Sequence, residues 1–576
     1  MGSKLSVFLD ELKRRKVYRV AGIYAGVGIA VSLGAAELYD VLLLPDWTPR
    51  LVLVLLLLGF PIALVLAWAY EVRPEEPGPG KPRAEDAPRS AVTVQPSTAA
   101  EPTGLAEVKE GRSIVVLPFE NLSPDPANAF FADGLTEEII TDLSKVSALK
   151  VISRTSAMAF KGTAKTVPAI ARELDVRFAL EGSVRREGDS LRITAQLIDA
   201  SSDAHLWAEK YSGTIEDVFD LQERLSRRIV DALKVTLSPE EDRRLAYRPL
   251  TDVQAHDIWL RARQHALTLS VGGVDRALEL VEQALSVAGP NALLHATLSW
   301  IHSVRFGGVQ VEDADETLSL ARQHATRAIE LDPDLAWSLF AMAVVHLREA
   351  DLQGFVRWGK RALEIERDSH TLAALSIYLA YAGRIETARR YAEEAASLDP
   401  LSWLTTHAAP HADVYAGNAA AGFRRLAELA DRFAPGDAWP AFEAAYAALQ
   451  AGLEDEARAW FQKAVDSGSP FYSELSQLLI HILEGNRDKA EEVSRSATLA
   501  AVAGRVGLTS YLVGNCFAWL GKTEEAFEWM ERGVEMWFTN YRFIGEYDRF
   551  IAPHRGTPRF EKLLEKARER EATLEV

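Results

Sequence analysis

Apolar residues fall along this chain in four different patterns. In the first they are uninterrupted: Val20 to Ala36 and Leu51 to Tyr70 are runs of 17 and 20 residues without a charge. A helix needs about 20 apolar residues, within a range of about 17–25, to cross a bilayer core. The runs predict two membrane helices, spanning about 17–38 and 51–70 within an anchor over residues 1–70. Gly22 and Gly26 are spaced to let two helices approach closely, and Pro61 predicts a kink in the second span. Tyr18, Trp47, Trp68 and Tyr70 fall where interfacial aromatics belong. The second pattern has almost no apolar clustering. Residues 71–111 hold seven prolines among small and charged residues and read as a flexible tether with no core of its own.

The third pattern mixes short apolar runs and alternation. SIVVLPF from Ser113 reads as a buried strand, 127–146 as a helix, and LKVISR (149–154) as a strand. Residues 167–174 read as a helix, and 177–186 and 191–200 as two strands joined at Glu187-Gly188-Asp189. Residues 205–211 read as a third strand and 215–235 as an amphipathic helix. The order β-α-β-α-β-β-β-α predicts a compact α/β domain over 112–245.

The fourth pattern is helical and periodic, over 251–572. Gly383, Gly417, Gly452, Gly485 and Gly521 recur at spacings of 34, 35, 33 and 36. Ala328, Ala362, Ala395, Ala430, Ala464, Ala497 and Gly533 form a second register with the same period. AIELDP (328–333), ALEIER (362–367) and AASLDP (395–400) are versions of one motif. A period near 34 is that of the tetratricopeptide repeat (TPR). Glycine ends the first helix of each pair where φ turns positive, and a small residue lets the two helices pack closely. The array predicts about eight helix pairs, an insertion near 307–315, and a capping helix over 558–571.

Composition narrows the function. The chain has 64 Lys and Arg against 82 Asp and Glu, a net charge of −18, which disfavours general nucleic-acid binding. Lys4, Lys13, Arg14, Arg15, Lys16 and Arg19 precede the first apolar run, and only Arg50 lies between the runs. The positive-inside rule then places the N-terminus and the bulk C-terminal region in the cytoplasm, in a two-pass inner-membrane topology. A second run close behind the first argues against a cleaved leader. The opening Met1-Gly2-Ser3-Lys4-Leu5-Ser6 fits a myristoylation pattern, which two spans make redundant. A single cysteine, Cys516, excludes an intrachain disulfide and reads as core.

SIVVLPFENLSPDPANAFFADGLTEEII, VISRTSAMAFKG and FALEGSVRREGDSLRITAQLIDASSDAHLWAEKY together resemble the TolB-like amino-terminal (FlgO-like) domain, over roughly residues 112–240. FLDELKRRKVYRVAGIYAG and LPDWTPRLVLVLLLLGFPIALVLAWAYEV resemble the two-span module that precedes it in many bacterial membrane proteins, where it often stands ahead of TPRs. The resemblance implies no reaction. Some relatives carry an adenylate cyclase or a winged-helix DNA-binding domain at the N-terminus, and the expectation here is that neither fits before the first span.

No chemistry-bearing motif emerges. Asp133, Glu137 and Glu138 read as carboxylates favoured by a helix start rather than an acid/base pair. Arg154, Arg185 and Arg186 read as strand-edge charge rather than an anion site. His407 and His411, with Asp413 nearby, have a ligand-like spacing that Pro410 is expected to interrupt. Gly521-Lys522-Thr523 echoes a phosphate loop but has Cys516 where that loop needs glycine. Trp337, Trp403, Trp439 and Trp537 read as repeat core or groove lining. The sequence thus predicts a multidomain chain with no catalytic, cofactor or metal residue. It predicts a non-catalytic, membrane-tethered scaffold that holds protein or peptide partners on a concave repeat face and contacts lipid, with homo-oligomers possible. The alternatives are a sensor whose α/β domain binds a small ligand and a divergent cyclase-related enzyme.

Overall fold

The computed structural model describes residues 112–123, 128–266, 271–308, 311 and 313–576. Both expected membrane helices and the tether lie outside these residues. Among the described residues no helix is long and apolar enough to cross a membrane.

A small sheet region and a large helical array make up the described chain. β1 (Ser113–Val116), apolar and buried from Ile114 on, lies between β3 (Lys150–Val151) and β4 (Phe178–Glu187), parallel to both. Pro118 separates β1 from β2 (Glu120–Asn121), which continues along β4 opposite Ser183 and Val184. β5 (Ser190–Asp199) and β6 (Ala204–Thr214) follow as antiparallel neighbours, giving the order β3-β1-β4-β5-β6. Gly188, at φ +60°, makes the β4–β5 turn that the Glu187-Gly188-Asp189 signal predicts. α1 (Ala129–Ser144) and α4 (Val218–Ala232) cover the sheet with Leu135, Ile139, Leu143, Leu221, Leu225 and Ile229, all nearly inaccessible. Two short helices, α2 (Arg154–Met158) and α3 (Val167–Glu173), lie between β3 and β4. The expected strand at 149–154 is only two residues long, because Arg154 already starts α2.

α5 (Pro239–Ala246), begun by a Ser238–Glu241 capping box, leads into eight antiparallel helix pairs among the described residues. The pairs are α6 (Val253–Ala266) with α7 (Val271–Ala288), α8 (Ala292–Gly307) with α9 (Ala314–Leu331), α10 (Ala336–Arg348) with α11 (Leu352–Ile365), and α12 (Ser369–Tyr381) with α13 (Ile385–Leu398). There follow α14 (Trp403–Thr406) and α15 (Ala408–Tyr415) with α16 (Ala419–Phe433), and α17 (Ala438–Gln450) with α18 (Glu454–Asp466). The last two are α19 (Pro470–Leu483) with α20 (Arg487–Ser494), and α21 (Ala497–Ala503) and α22 (Gly507–Trp519) with α23 (Thr523–Met536). The five periodic glycines all have φ between +71° and +89°. Ala350 adopts the same left-handed turn, at φ +63°, in the third pair. Ala328, Ala362, Ala395, Ala430 and Ala464 are buried between paired helices, as their register requires. Ala497 departs from it: α20 is short and buries Ala490 instead, and Ala497 is exposed at the start of α21.

The chain then turns back. Thr539 and Asn540 donate backbone N–H bonds to the Tyr381 carbonyl at 3.1 and 3.0 Å. The Asn540 amide reaches the carbonyls of Ala380 and Tyr415. Asp548 accepts from Tyr511 at 2.7 Å and from Gln450 at 3.1 Å. One segment, 537–551, thus touches the first helices of the fourth, fifth, sixth and eighth pairs, which only an inner, concave surface permits. α24 (Pro558–Thr573) does more than cap the array: Arg384 of the fourth pair donates to the Glu571 and Leu574 carbonyls. The inner face expected to hold partners is filled along its C-terminal half by the chain's own residues.

A candidate cleft between the sheet and the repeats

The open part of the inner face lies under the sheet region. The ends of three consecutive second helices, the positions of the repeated motif, bind that region. Tyr247 donates to Asp332, Arg244 to the Ile365 carbonyl at 3.1 Å, and Ser156 Oγ and N to Asp399 at 2.5 and 3.0 Å. These contacts fix α1 and the Tyr247–Leu250 connection over the first four pairs and leave a cleft of about 260 Å³. Its floor comes from successive first helices. Trp300 and Trp337 lie with centroids 6.1 Å apart, Trp337 stacks on Phe340 at 5.5 Å, and His370 meets Phe340 edge-on at 5.4 Å. Trp259 donates to Thr297 at 3.2 Å and carries the Arg263 guanidinium 5.0 Å over its ring.

Charge of both signs rims this floor. Asp142 is 1% exposed and binds Arg248 at 3.0 Å and Lys145 at 2.9 Å. His256 Nε2 lies 3.1 Å from Glu138. Glu366 is half-buried and lines the cleft, and burial, with Asp368 beside it, lifts its carboxyl to about 7 against the opposing pull of Lys145 and Arg263. The folded state therefore keeps a proton that the unfolded chain releases near its ordinary 4.5. Stability should fall as pH rises from there to about 7 and level off above. Urea midpoints measured across this window should slope less in Glu366→Gln than in the parent, and equal slopes would refute the assignment.

A larger hollow of about 730 Å³ opens on the sheet region. Of the charges that line it, Asp133 and Lys161 pair with each other at 2.6 Å.

The acidic group at 133–138 is not at a helix start, because the first turn of α1 carries no acid. Its members have separate partners: Asp133 pairs with Lys161, Glu137 with Arg154 and Arg263, and Glu138 with His256. The three arginines do not converge either. Arg154 holds Glu137, Arg185 lies 3.4 Å from Glu187, and Arg186 lies over Phe131 and donates to the Gly188 carbonyl. Gly521 is a repeat turn and Lys522 pairs with Glu491 at 3.3 Å. Cys516 is 1% exposed, and burial pushes its thiol up to about 12. Of the tryptophans, Trp337 lines the cleft, Trp537 packs on Tyr378 and Tyr381, and Trp403 and Trp439 flank a histidine.

That histidine, His407, belongs to a buried group with His411 and Glu443. Pro410 does not break the spacing. It sits in the first turn of α15, where a missing N–H costs little, and the His411 N–H still reaches the His407 carbonyl at 2.8 Å. Both imidazoles share one side of the helix, with centroids 5.8 Å apart. Asp413 faces elsewhere and binds Arg389 at 2.8 Å. The carboxylate comes from the next repeat: Glu443 Oε2 is 3.8 Å from His407 Nε2, and Oε1 is 3.5 Å from His411 Nδ1. Burial pushes the Glu443 carboxyl up, and the two histidines hold it below the ordinary carboxylate value. A signal for it existed, since a period of 34 sets position 443 level with 409, between the two histidines.

Residues 110–228 match the family model described as HilA/YgeH-like transcriptional regulator, second domain. This is the stretch that resembles the TolB-like domain. A Rhizobium meliloti (strain 1021) protein named "Putative adenylate cyclase 3" is 40% identical over 271 residues, 46% of this chain and 45% of that protein. The chain thus spans less than half the length of this curated relative. Among solved structures, TolB from Acinetobacter baumannii aligns over 22% of this chain and 28% of its own, at 18% identity and a TM-score of 0.18. The human IFIT1 dimer with m7Gppp-AAAA aligns over 55% and 77%, at 16% identity and a TM-score of 0.35. The P58(IPK) TPR domain aligns over 55% and 100%, at 11% identity and a TM-score of 0.16. These superpositions are loose, and the helical-repeat fold rests on the paired helices themselves.

Proposed function

We propose that the chain is a non-catalytic scaffold that recruits protein partners at the cytoplasmic face of an inner membrane. The recruiting part is carried by one observation: the first helices of four consecutive repeats present an unfilled aromatic floor inside a charged rim. A segment of a partner that lays an apolar or aromatic side chain on Trp300 and Trp337 would find its backbone polar groups within reach of the rim. The tether is supported by the sequence alone, through the uncharged 20-residue run at Leu51–Tyr70 and the lysines and arginines around it. Anchoring raises the concentration of whatever the cleft holds near the bilayer.

The test is crosslinked co-purification of the full chain beside Trp300→Ala/Trp337→Ala. A partner captured by the parent and lost from the double variant is the expected result, and equal capture would remove the cleft from the recruiting surface. Point variants suit this better than a chain ending before Thr251, which would expose the sheet region's buried contacts with Asp399 and Ile365.

The enclosure of the cleft favours a second reading, a sensor. A small molecule held there would touch both the sheet region and the repeats, and would stabilise both by mass action. A thermal-shift screen with a metabolite set separates this reading from the first. The name of the curated relative is the support for a cyclase-related activity, which nucleotide turnover by the purified chain would test.

A further inference from the structure

We propose that His407, His411 and Glu443 bind one divalent transition-metal ion of the zinc class and so clamp the fifth repeat to the sixth. Two imidazoles and a carboxylate with an open fourth position form a donor set that suits zinc. A tetrahedral ion with bonds of roughly 2.1 Å holds its ligand atoms roughly 3.4 Å apart. The separations from Glu443 are 3.8 and 3.5 Å, and one ligand atom of each residue lies within 4.8 Å of the other two.

The surroundings aim these atoms. His407 Nδ1 donates to the Trp403 carbonyl at 2.7 Å, which leaves the Nε2 lone pair directed at Glu443. A carbonyl behind a ligating histidine is the usual outer support of a metal site. Trp439 Nε1 donates to Glu443 Oε1 at 2.8 Å and fixes the carboxylate. Trp403 stacks on His407 at 4.8 Å and closes that side.

What the group lacks is a partner at its centre. His407, His411 and Glu443 are 0%, 3% and 9% exposed, yet His407 Nε2, His411 Nε2 and Glu443 Oε2 make no hydrogen bond. A buried polar atom left without a partner is costly. A direct histidine–carboxylate bond would satisfy some of them, but 3.5 and 3.8 Å are too long for one. An ion held by His407 Nε2 and Glu443 Oε2 satisfies both of those atoms, and one nitrogen of His411 completes the set. A cavity of about 30 Å³ adjoins His411 and Glu443 under Tyr381, Tyr415 and Tyr446, with room for a water as fourth ligand.

The experiment uses the full chain purified without a polyhistidine tag, stripped with a chelator, reloaded with zinc sulfate alone and desalted. Mass spectrometry of the metal should find one zinc per chain. Glu443→Gln keeps the volume and the Trp439 bond and should weaken retention by about tenfold or more. Cobalt(II) loaded into the parent should give the visible bands of a tetrahedral nitrogen–oxygen site, a readout independent of any variant's folding. A parent that holds no zinc above the buffer blank, or cobalt without those bands, would overturn the assignment. So would undiminished loading of Glu443→Gln, which would move the metal elsewhere.

Discussion

Phe538→Ala should destabilise the folded chain by about 3–5 kcal/mol, the range for truncating a buried phenylalanine. Phe538 is fully buried and stacks on Tyr511 with centroids 4.1 Å apart at 22°. Tyr381, Tyr415 and Phe543 close around it at 5.8, 5.9 and 6.1 Å. These rings come from the fourth, fifth and eighth pairs and from the returning segment, so no single helix can move in to fill the cavity. The loss should be visible in urea unfolding, and limited proteolysis should cut faster between 537 and 557. A variant within about 1 kcal/mol of the parent, below the floor for such a site, would mean that the segment is not anchored here.

Asp142→Ala should cost a similar amount, about 3–5 kcal/mol, because it leaves opposite charges in place without their partner. Asp142 accepts from Arg248 at 3.0 and 3.1 Å, Lys145 at 2.9 Å and Ser226 at 3.2 Å. Burial, with the Glu138 charge nearby, raises its carboxyl pKa against the opposing pull of Lys145 and Arg248. The Arg248 side chain is only 9% exposed, so water cannot replace the lost carboxylate. Pairing Asp142→Ala with Arg248→Met removes both charges and should recover much of the loss. If the double variant were as unstable as the single, the packing of Asp142 rather than its charge would be responsible.

Local signals carried the fold. The glycine register marks left-handed turns and the alanine register marks helix contacts, and both depend on backbone conformation or side-chain size within one repeat. The register failed at Ala497, where a shortened α20 let an extra helix take its place. The candidate sites were harder because their parts lie far apart in sequence. Asp413 is near His411 in sequence but points to Arg389, whereas Glu443 is a repeat away. The cleft joins Lys145 and Arg248 to Trp300, Trp337 and Glu366, and no periodicity within the repeats indicates what covers them. Phe538, Phe543 and Phe550 look like further repeat core by composition. That they fill the inner face follows from the chain reversal after Met536, which has no local marker.

That reversal also sets a timetable for synthesis. Repeat arrays ordinarily assemble as each unit emerges, since every unit needs only its neighbours. Here the fourth to eighth pairs receive their inner packing from residues 537–576, which are made after all of them. At about 5–20 residues per second those residues take roughly 2–8 s to translate. Throughout that time Tyr381, Tyr415, Tyr446 and Tyr511 face an empty channel. A nascent chain at this stage is a ready client for a chaperone.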